Sequence, residues 1–544
     1  MAQLVESLPA EISASEIAAK PQAEAAPLPA VTFAGVRELA AIVGIVALAD
    51  LTIYRGAGFA GLAALFAAGP ALLLLGSQRP ALKASFWIVA AMLLLLAMRL
   101  IWQGSVLGVV SGCILLVAYA LALRGERPYV LSVLAGFAQL YFAGTVALVT
   151  SLQRVASSNL RLPRIPWLNY LLPIGALVMF GTLFIQANPD LAKSVAENIQ
   201  RALDRLAAWF ERFDQHWPEV GFWLLSGYVV VGLLRPLLPR FREVARAGSV
   251  PFAEEVRQPQ PAPLYTALRN TLVAVIGLFA VYLIFEFQTL WFRGFPVGFY
   301  YAGYAHEGAA WLTAALALAT LALSLIFRGQ VLSDPRLPRL RLLAWIWSAL
   351  NLVLALTVYH RMSIYIDFNG MTRMRTIGLF GISTVVAGFV LVIWKIVQNR
   401  DFAWLIQRQL WALAIAVYLY VLTPVDLLVQ SYNVRQILRG DLAPSVQISV
   451  HPISAEGYLV LRPLVDCPDP IIRDGIRALL AEQELAAADR EQQRRQLGWT
   501  TFQAADELLH AELSGNGNLW DEFRDSARRE AALQAFNKYA YQWY

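Results

Sequence analysis

Charge is scarce in this chain. Only 15% of its 544 residues are Asp, Glu, Lys or Arg, whereas soluble domains carry about a quarter. Hydrophobic residues make up 58%, and the mean hydropathy is +0.53. A water-soluble fold could not hide that much apolar surface; a bilayer removes the need to hide it. Cysteine is nearly absent: Cys113 lies in an apolar run and Cys467 in the polar tail, which excludes a disulfide framework. The five histidines (His216, His306, His360, His451 and His510) are scattered, with no His-Glu-x-x-His turn. No Gly-x-x-x-x-Gly-Lys loop and no Gly-x-Ser-x-Gly elbow occur, so neither ATP-driven transport nor serine hydrolysis is expected of this chain. No cofactor and no metal site are expected. Basic residues do not alternate with aromatics, so no nucleic-acid partner is expected; the net charge of +6 fits loop Lys and Arg of a membrane protein. The first thirty residues lack a basic and apolar secretory signal. They carry Glu6, Glu11, Glu16 and Glu24 among Ala, Ser and Pro, and read as a disordered polar tail.

What is present is a series of apolar runs long enough to cross a bilayer, which needs about 20 residues. They lie near 39–54, 58–75, 85–102, 106–123, 129–150, 167–185, 222–238, 272–290, 309–326, 342–359, 377–396 and 405–422. The fifth carries Gln139 and could be interfacial or re-entrant, so the expected count is 11–12. The fold class is all-α: a polytopic transmembrane helix bundle with a small, mainly helical soluble C-terminal region. Composition divides the chain into a polar tail (1–36), N-terminal hydrophobic helices (37–150), two spans with an amphipathic helix and a basic loop (151–263), a core membrane domain (264–425) and the soluble region (426–544). The amphipathic helix shows Leu191, Val195, Ile199, Leu203, Leu206, Phe210 and Phe213 at helical spacing, and docking on the bundle is the favoured reading. In the tail, Asp469-Pro470 opens a helix, Gly515-Asn516-Gly517-Asn518 breaks the stretch 508–543 into two more, and 447–450 reads as a short strand.

Three basic connections share one parity: Arg240, Arg242, Arg246 and Arg257; then Arg328, Arg336, Arg339 and Arg341; then Lys395 and Arg400. Placed in the cytoplasm together, they put the turns between them, and the C-terminal region, outside. Arg361, Arg373 and Arg375 on the outer turn run against that assignment.

Polar groups within apolar spans are costly and therefore functional candidates. Asp50, Glu286 and Asn351 are the intramembrane set. Glu286 reads either as a buried acid that binds a cation or relays protons, or as an interfacial carboxylate paired with an arginine such as Arg293. A single Asn such as Asn351 usually hydrogen-bonds between helices. Two polar turns concentrate the remaining candidates. One carries Tyr301, Tyr304, His306 and Glu307; the other carries His360, Arg361, Tyr365, Asp367, Asn369, Thr372 and Arg375. Alternation of spans puts both on one membrane face. The spacing of His306, Glu307, His360 and Asp367 matches no recognised metal site, and a polar cap that satisfies helix ends is the plainer reading.

The same turns carry a family resemblance. Tyr300-Tyr301-Ala302-Gly303-Tyr304-Ala305-His306-Glu307-Gly308 resembles the Tyr-Ala-x-Tyr-Ala-Arg-x-Gly-Phe motif of the uncharacterised bacterial membrane family of domains of unknown function 4153 and 4173. Arg361-Met362-Ser363-Ile364-Tyr365 with Asn369-Gly370-Met371-Thr372-Arg373-Met374-Arg375 is similar to that family's second motif. Pro424-Val425-Asp426, then Tyr432-Asn433-Val434-Arg435, resembles its tail motif, so Asp426, Tyr432, Asn433 and Arg435 join the candidates as a tail junction. His306 stands where the family often has Arg, Ala309 where it has Phe and Asn369 where it has Tyr, which weakens any role that needs the Arg charge. The resemblance implies a multi-pass membrane protein with a soluble tail, and no reaction.

Three functions are compatible with these residues. The first is a non-enzymatic scaffold or envelope-signalling component of the bacterial cell membrane, with the motif turns locking the tail to the bundle. Its expected partners are the lipid bilayer and another membrane or envelope protein reached through the C-terminal region. The alternatives are a permease or ion-coupled transporter using Asp50, Glu286 and Asn351, and a membrane enzyme with His306 and His360 on its active face.

Overall fold

A computed structural model describes residues 36–77, 80–138, 140, 200–201, 203–204, 217–234, 265–291, 301–327, 331, 334–398, 400 and 402–543, with backbone alone for 301–310. The expected polar N-terminal tail, the fifth span beyond residue 140, the sixth span and most of the amphipathic helix lie outside these residues. Among the described residues every regular element is helical. The stretch 447–450, read as a strand, is part of a short helix (Ser445–Val450). Val446 and Ile448 are buried by helix packing instead of by a sheet.

Among the described residues the membrane part comprises ten helices: α1 (Val36–Ala49, continued by a wider turn Asp50–Tyr54), α2 (Phe59–Gly76), α3 (Ala84–Trp102), α4 (Val106–Ala122), α5 (Trp217–Leu234), α6 (Tyr265–Glu286), α7 (Tyr301–Ile326), α8 (Leu337–Asn369), α9 (Arg373–Gln398) and α10 (Phe402–Leu422). Seven described helices are long and apolar enough to cross a membrane. They are apolar on all sides and leave residues such as Leu224, Leu278, Val281 and Leu352 exposed, as a lipid-facing surface permits. The chain is a multi-pass membrane protein.

Helices α1 to α5 enclose one apolar core around Phe66, Leu93, Leu96 and Tyr119. Pro70 interrupts α2, and its carbonyl accepts a hydrogen bond from Tyr119 Oη at 3.0 Å. Helices α6 to α9 enclose a second core in two layers, one around Leu272, Leu323 and Trp347, the other around Leu316, Leu354 and Val358. Helix α10 joins the two: it packs on α9, Val421 enters the first core, and Tyr418 Oη donates to the Met92 carbonyl at 2.8 Å.

End-to-end contacts sort helix ends onto two faces. On one face Lys83 Nζ donates to the Gly125 carbonyl at 3.2 Å, the Arg124 guanidinium donates to the Leu234 carbonyl, Tyr265 Oη donates to the Arg336 carbonyl at 3.2 Å, and Lys395 Nζ caps α7 through the Ser324 and Phe327 carbonyls. On the other face lie the α1–α2 and α3–α4 connections, the start of α5, the end of α6, the α8–α9 turn and the end of α10. Helix α4 therefore ends on one face and α5 starts on the other.

The C-terminal region sits on that second face. It comprises α11 (Val425–Leu438), α12 (Ser445–Val450), α13 (Ala455–Tyr458), α14 (Pro470–Leu497), α15 (Ala504–Gly515) and α16 (Ser526–Ala540). Asp469 starts α14 by accepting from the Ile471 and Ile472 amides at 3.0 Å, the role its Asp-Pro pair implies. Ile472, Ile476, Leu480, Leu509, Trp520 and Phe536 form its core.

Candidate functional site

The α8–α9 turn is much shorter than the sequence suggests. Helix α8 runs for 33 residues to Asn369, so His360, Arg361, Tyr365 and Asp367 are helical, and only Gly370, Met371 and Thr372 form the turn. The apolar run alone suggests an end near residue 359. The polar residues continue the helix because Arg361, Tyr365 and Asn369 are four apart and share one face. Gly370 makes the reversal at φ +82° and ψ −174°, a region essentially reserved for glycine. Thr372 Oγ1 then accepts from the Arg375 amide at 3.2 Å and opens α9.

The tail grips this turn from above. Asn433 of α11 accepts from the Met371 amide through Oδ1 at 2.7 Å and donates from Nδ2 to the Met371 carbonyl at 3.0 Å. Both backbone groups of one turn residue are thereby satisfied by one side chain, which is fully buried. Gln447 Nε2 donates to the Asn369 carbonyl at 2.7 Å, and Asn369 Nδ2 donates to the Trp543 carbonyl at 2.5 Å. Tyr432 Oη donates to Asp367 Oδ1 at 3.0 Å. The Arg375 guanidinium donates to the Gly370 carbonyl and lies 3.8 Å from the Tyr365 ring centroid. Arg435 is exposed on α11.

Beside the turn, Arg373 makes a two-pronged ion pair with Asp426, the first acid of α11. The Ser454 amide also donates to Asp426 at 2.8 Å. Burial alone would raise the Asp426 carboxyl; the hydrogen bonds from Arg373 and Ser454 outweigh it and hold the group below the usual carboxylate range. Glu456 sits nearby between Arg99 Nη2 at 3.0 Å and Trp102 Nε1 at 2.9 Å, both from the end of α3. Here burial dominates, and the Glu456 carboxyl is pushed up.

The intramembrane candidates are spread through the bundle. Glu286 is fully buried and paired with Arg361, both of whose contacts measure 2.6 Å, and it accepts from Tyr282 Oη at 2.9 Å. Its partner is Arg361 across α6 and α8; Arg293 lies outside the described residues. His360, one residue before, stacks on Trp291 with ring centroids 4.3 Å apart. Asp50 is held by Trp223 Nε1 at 2.8 Å and Arg55 Nε at 2.9 Å, with Arg55 also bound to Glu219. Asn351 bonds back to the Trp347 carbonyl at 2.8 Å within α8. The side chains of Tyr301, Tyr304, His306 and Glu307 lie outside the described residues; their backbone opens α7. Among the described residues no three His, Cys, Asp or Glu side chains come together as a metal site would require.

Several gripping residues escape the sequence reading: Arg99, Trp102, Gln447 and Glu456, together with Thr500, which accepts from the Ala57 amide, and Gln503, which donates to the Leu100 carbonyl. Arg99 alone carried a signal, as an isolated charge inside an apolar span. The others gain meaning only through contacts made across 78 to more than 400 residues of chain.

Neither the curated proteins nor the solved structures contain a match to this chain. The family described as Domain of unknown function (DUF4153) matches residues 39–461, which takes in the α8–α9 turn, Asp426, Asn433, Gln447 and Glu456 and ends before α14. With more than three quarters of its length matched, including both sides of the grip, the chain belongs to the DUF4153 family.

Proposed function

We propose that this protein is a non-enzymatic membrane scaffold or envelope-signalling component of the bacterial cell membrane. Its bundle holds the C-terminal helical region at a fixed orientation for a partner protein. The observation that carries this reading is the two-sided capture of Met371 by Asn433, flanked by the Arg373–Asp426 pair. A tether would need only a linker, whereas these contacts fix an angle.

Charge supports one side of the membrane for this region. The face opposite it carries Lys83, Arg124, Arg127, Arg336, Arg339, Arg341, Lys395 and Arg400 at helix ends, with Arg235, Arg240, Arg242, Arg246 and Arg257 in the sequence joining α5 to α6. The near face of the bundle carries fewer: Arg55, Arg99, Arg361, Arg373 and Arg375, with Arg293 in the sequence joining α6 to α7. This supports a cytoplasmic basic face and an extracytoplasmic C-terminal region.

The reading as an ion-coupled transporter is less well supported. Glu286 and Asp50 are each committed to an arginine and an aromatic donor. The test is to cross-link whole cells, purify the protein, and compare its partners with those of the Asn433→Ala and Arg373→Ala double variant. A partner set that shrinks while the bundle stays inserted supports the scaffold. An unchanged set rejects it.

A further inference from the structure

The C-terminal region touches the membrane domain at a second place, remote in sequence from the Asn433 grip. The turn Trp499–Thr501 joins α14 to α15 and settles on the N-terminal end of α2. Thr500 is 4% exposed; its Oγ1 accepts from the Ala57 amide at 3.2 Å. Three glycines admit this approach: a Cβ on Gly58 would fall 2.5 Å from the Thr500 carbonyl oxygen, and one on Gly56 or Gly61 would fall 3.1 Å from Thr500 Cγ2. Gln503 reaches further along the same face. It donates from Nε2 to the Leu100 carbonyl at 3.0 Å and accepts from the Gly104 amide, bridging α3 to the start of α4.

These contacts fix the turn at the level where α1 and α3 end and α2 and α4 begin. That level is marked by a belt of exposed apolar and aromatic side chains: Tyr54 on α1, Trp217 and Trp223 on α5, and Val106 and Leu107 on α4. Trp and Tyr collect at this depth in membrane proteins because their rings straddle apolar and wet surroundings. The turn adds three large side chains at the same level. Leu497 is 51% exposed, Trp499 53% and Phe502 38%, and they surround a Thr that is buried. Charge lies further back, where Arg490 pairs with Asp506 and Arg494 with Glu507. An apolar tip with charge behind it is the pattern of an interfacial element.

We propose that the segment 497–502 is a lipid anchor, with Leu497, Trp499 and Phe502 resting at the boundary of headgroups and acyl chains in the leaflet beneath the C-terminal region. The occupant is the bilayer surface, because these side chains continue a belt that the spanning helices already present to lipid. The region is then held twice, by protein at Met371 and by protein and lipid together at Thr500. This inference requires only that the helices span a bilayer, and it is independent of which partner the scaffold serves.

The experiment uses the full chain in lipid nanodiscs, in a Cys113→Ser background with the buried Cys467 retained. Single spin labels are placed through Trp499→Cys or Phe502→Cys. References are Val110→Cys on the exposed side of α4 and Glu530→Cys on the exposed side of α16. Collision rates with oxygen, which partitions into lipid, and with a water-soluble nickel chelate are compared. Labels at 499 and 502 are expected to share the preference for oxygen shown at 110, while 530 prefers nickel. Nickel preference at both 499 and 502 overturns the proposal, as does exclusion of both reagents, which would assign the patch to a protein. The label at 502 leaves Trp499 in place, so loss of docking in one variant does not decide the outcome.

Discussion

Asn433 and Met371 exchange two hydrogen bonds across the boundary between the C-terminal region and the bundle, one through each end of the Asn amide. A backbone amide and carbonyl at a tight turn need partners once water is excluded. Asn supplies a donor and an acceptor on one short, stiff side chain, which Ala, Asp or Leu cannot. The pairing explains why the turn and the tail carry motifs although they are about sixty residues apart.

Replacing Asn433 with Ala leaves both Met371 groups without that partner. The cost is about 2 kcal/mol, in the range for a buried polar group stripped of its bond. Amide exchange at the peptide containing Met371 should speed up roughly thirtyfold, while peptides in mid-α8 stay protected. Hydrogen exchange by mass spectrometry of the full chain in detergent reads this directly.

Gly370 is expected to resist substitution. A Cβ there would lie 2.7 Å from Asn433 Oδ1 and 2.8 Å from Pro444 Cβ, at a backbone angle unfavourable to any other residue. The strain alone is about 1–3 kcal/mol. Gly370→Ala should lower the thermal midpoint of the purified protein, whereas Gly381→Ala, within α9 and with open space around it, should leave it unchanged or raise it slightly.

The buried pair of Glu286 and Arg361 fixes the end of α6 to α8, about two turns before α8 itself ends. Removing one partner strands the other charge, a loss of about 3–5 kcal/mol. Arg361→Met should therefore destabilise strongly, and adding Glu286→Gln should recover much of the loss. Denaturant titration of the single and double variants checks the expected non-additivity.

Acid should act on the grip in two opposite ways. Glu456 has its pKa raised by burial in the folded state, so the ionised group opposes docking near neutral pH, and that penalty fades as pH falls into its titration range. Asp426 is held low, so its stabilising contribution is complete above about pH 3.9 and is lost as pH falls through the depressed folded value. Docking should strengthen slightly on mild acidification and collapse only in strong acid. Glu456→Gln should abolish the rise; proteolytic clipping at the α10–α11 junction across a pH series measures both limbs.

Much of this architecture was legible in the sequence, for physical reasons. Apolar runs of bilayer length define the spans, and Asp469-Pro470 starts α14 where a helix cap should stand. The two motif segments meet in space, where Arg373 pairs with Asp426 and Met371 with Asn433. The length of α8 was concealed, since hydropathy falls at Tyr359 while the helix continues; the four-residue spacing of Arg361, Tyr365 and Asn369 was the available clue. The second dock was invisible. Thr500 and Gly58 are ordinary residues whose roles come from close approach, and a sequence records no distances.

The central claim is that the C-terminal region is held at one orientation on the bundle. Pulsed electron-paramagnetic-resonance distances between labels at 110 on α4 and 530 on α16, in the full chain in nanodiscs, test it most directly. A single narrow distribution is expected, broadening when Asn433→Ala and Arg373→Ala are combined with Gly58→Leu. A broad distribution in the otherwise unaltered protein would contradict the account.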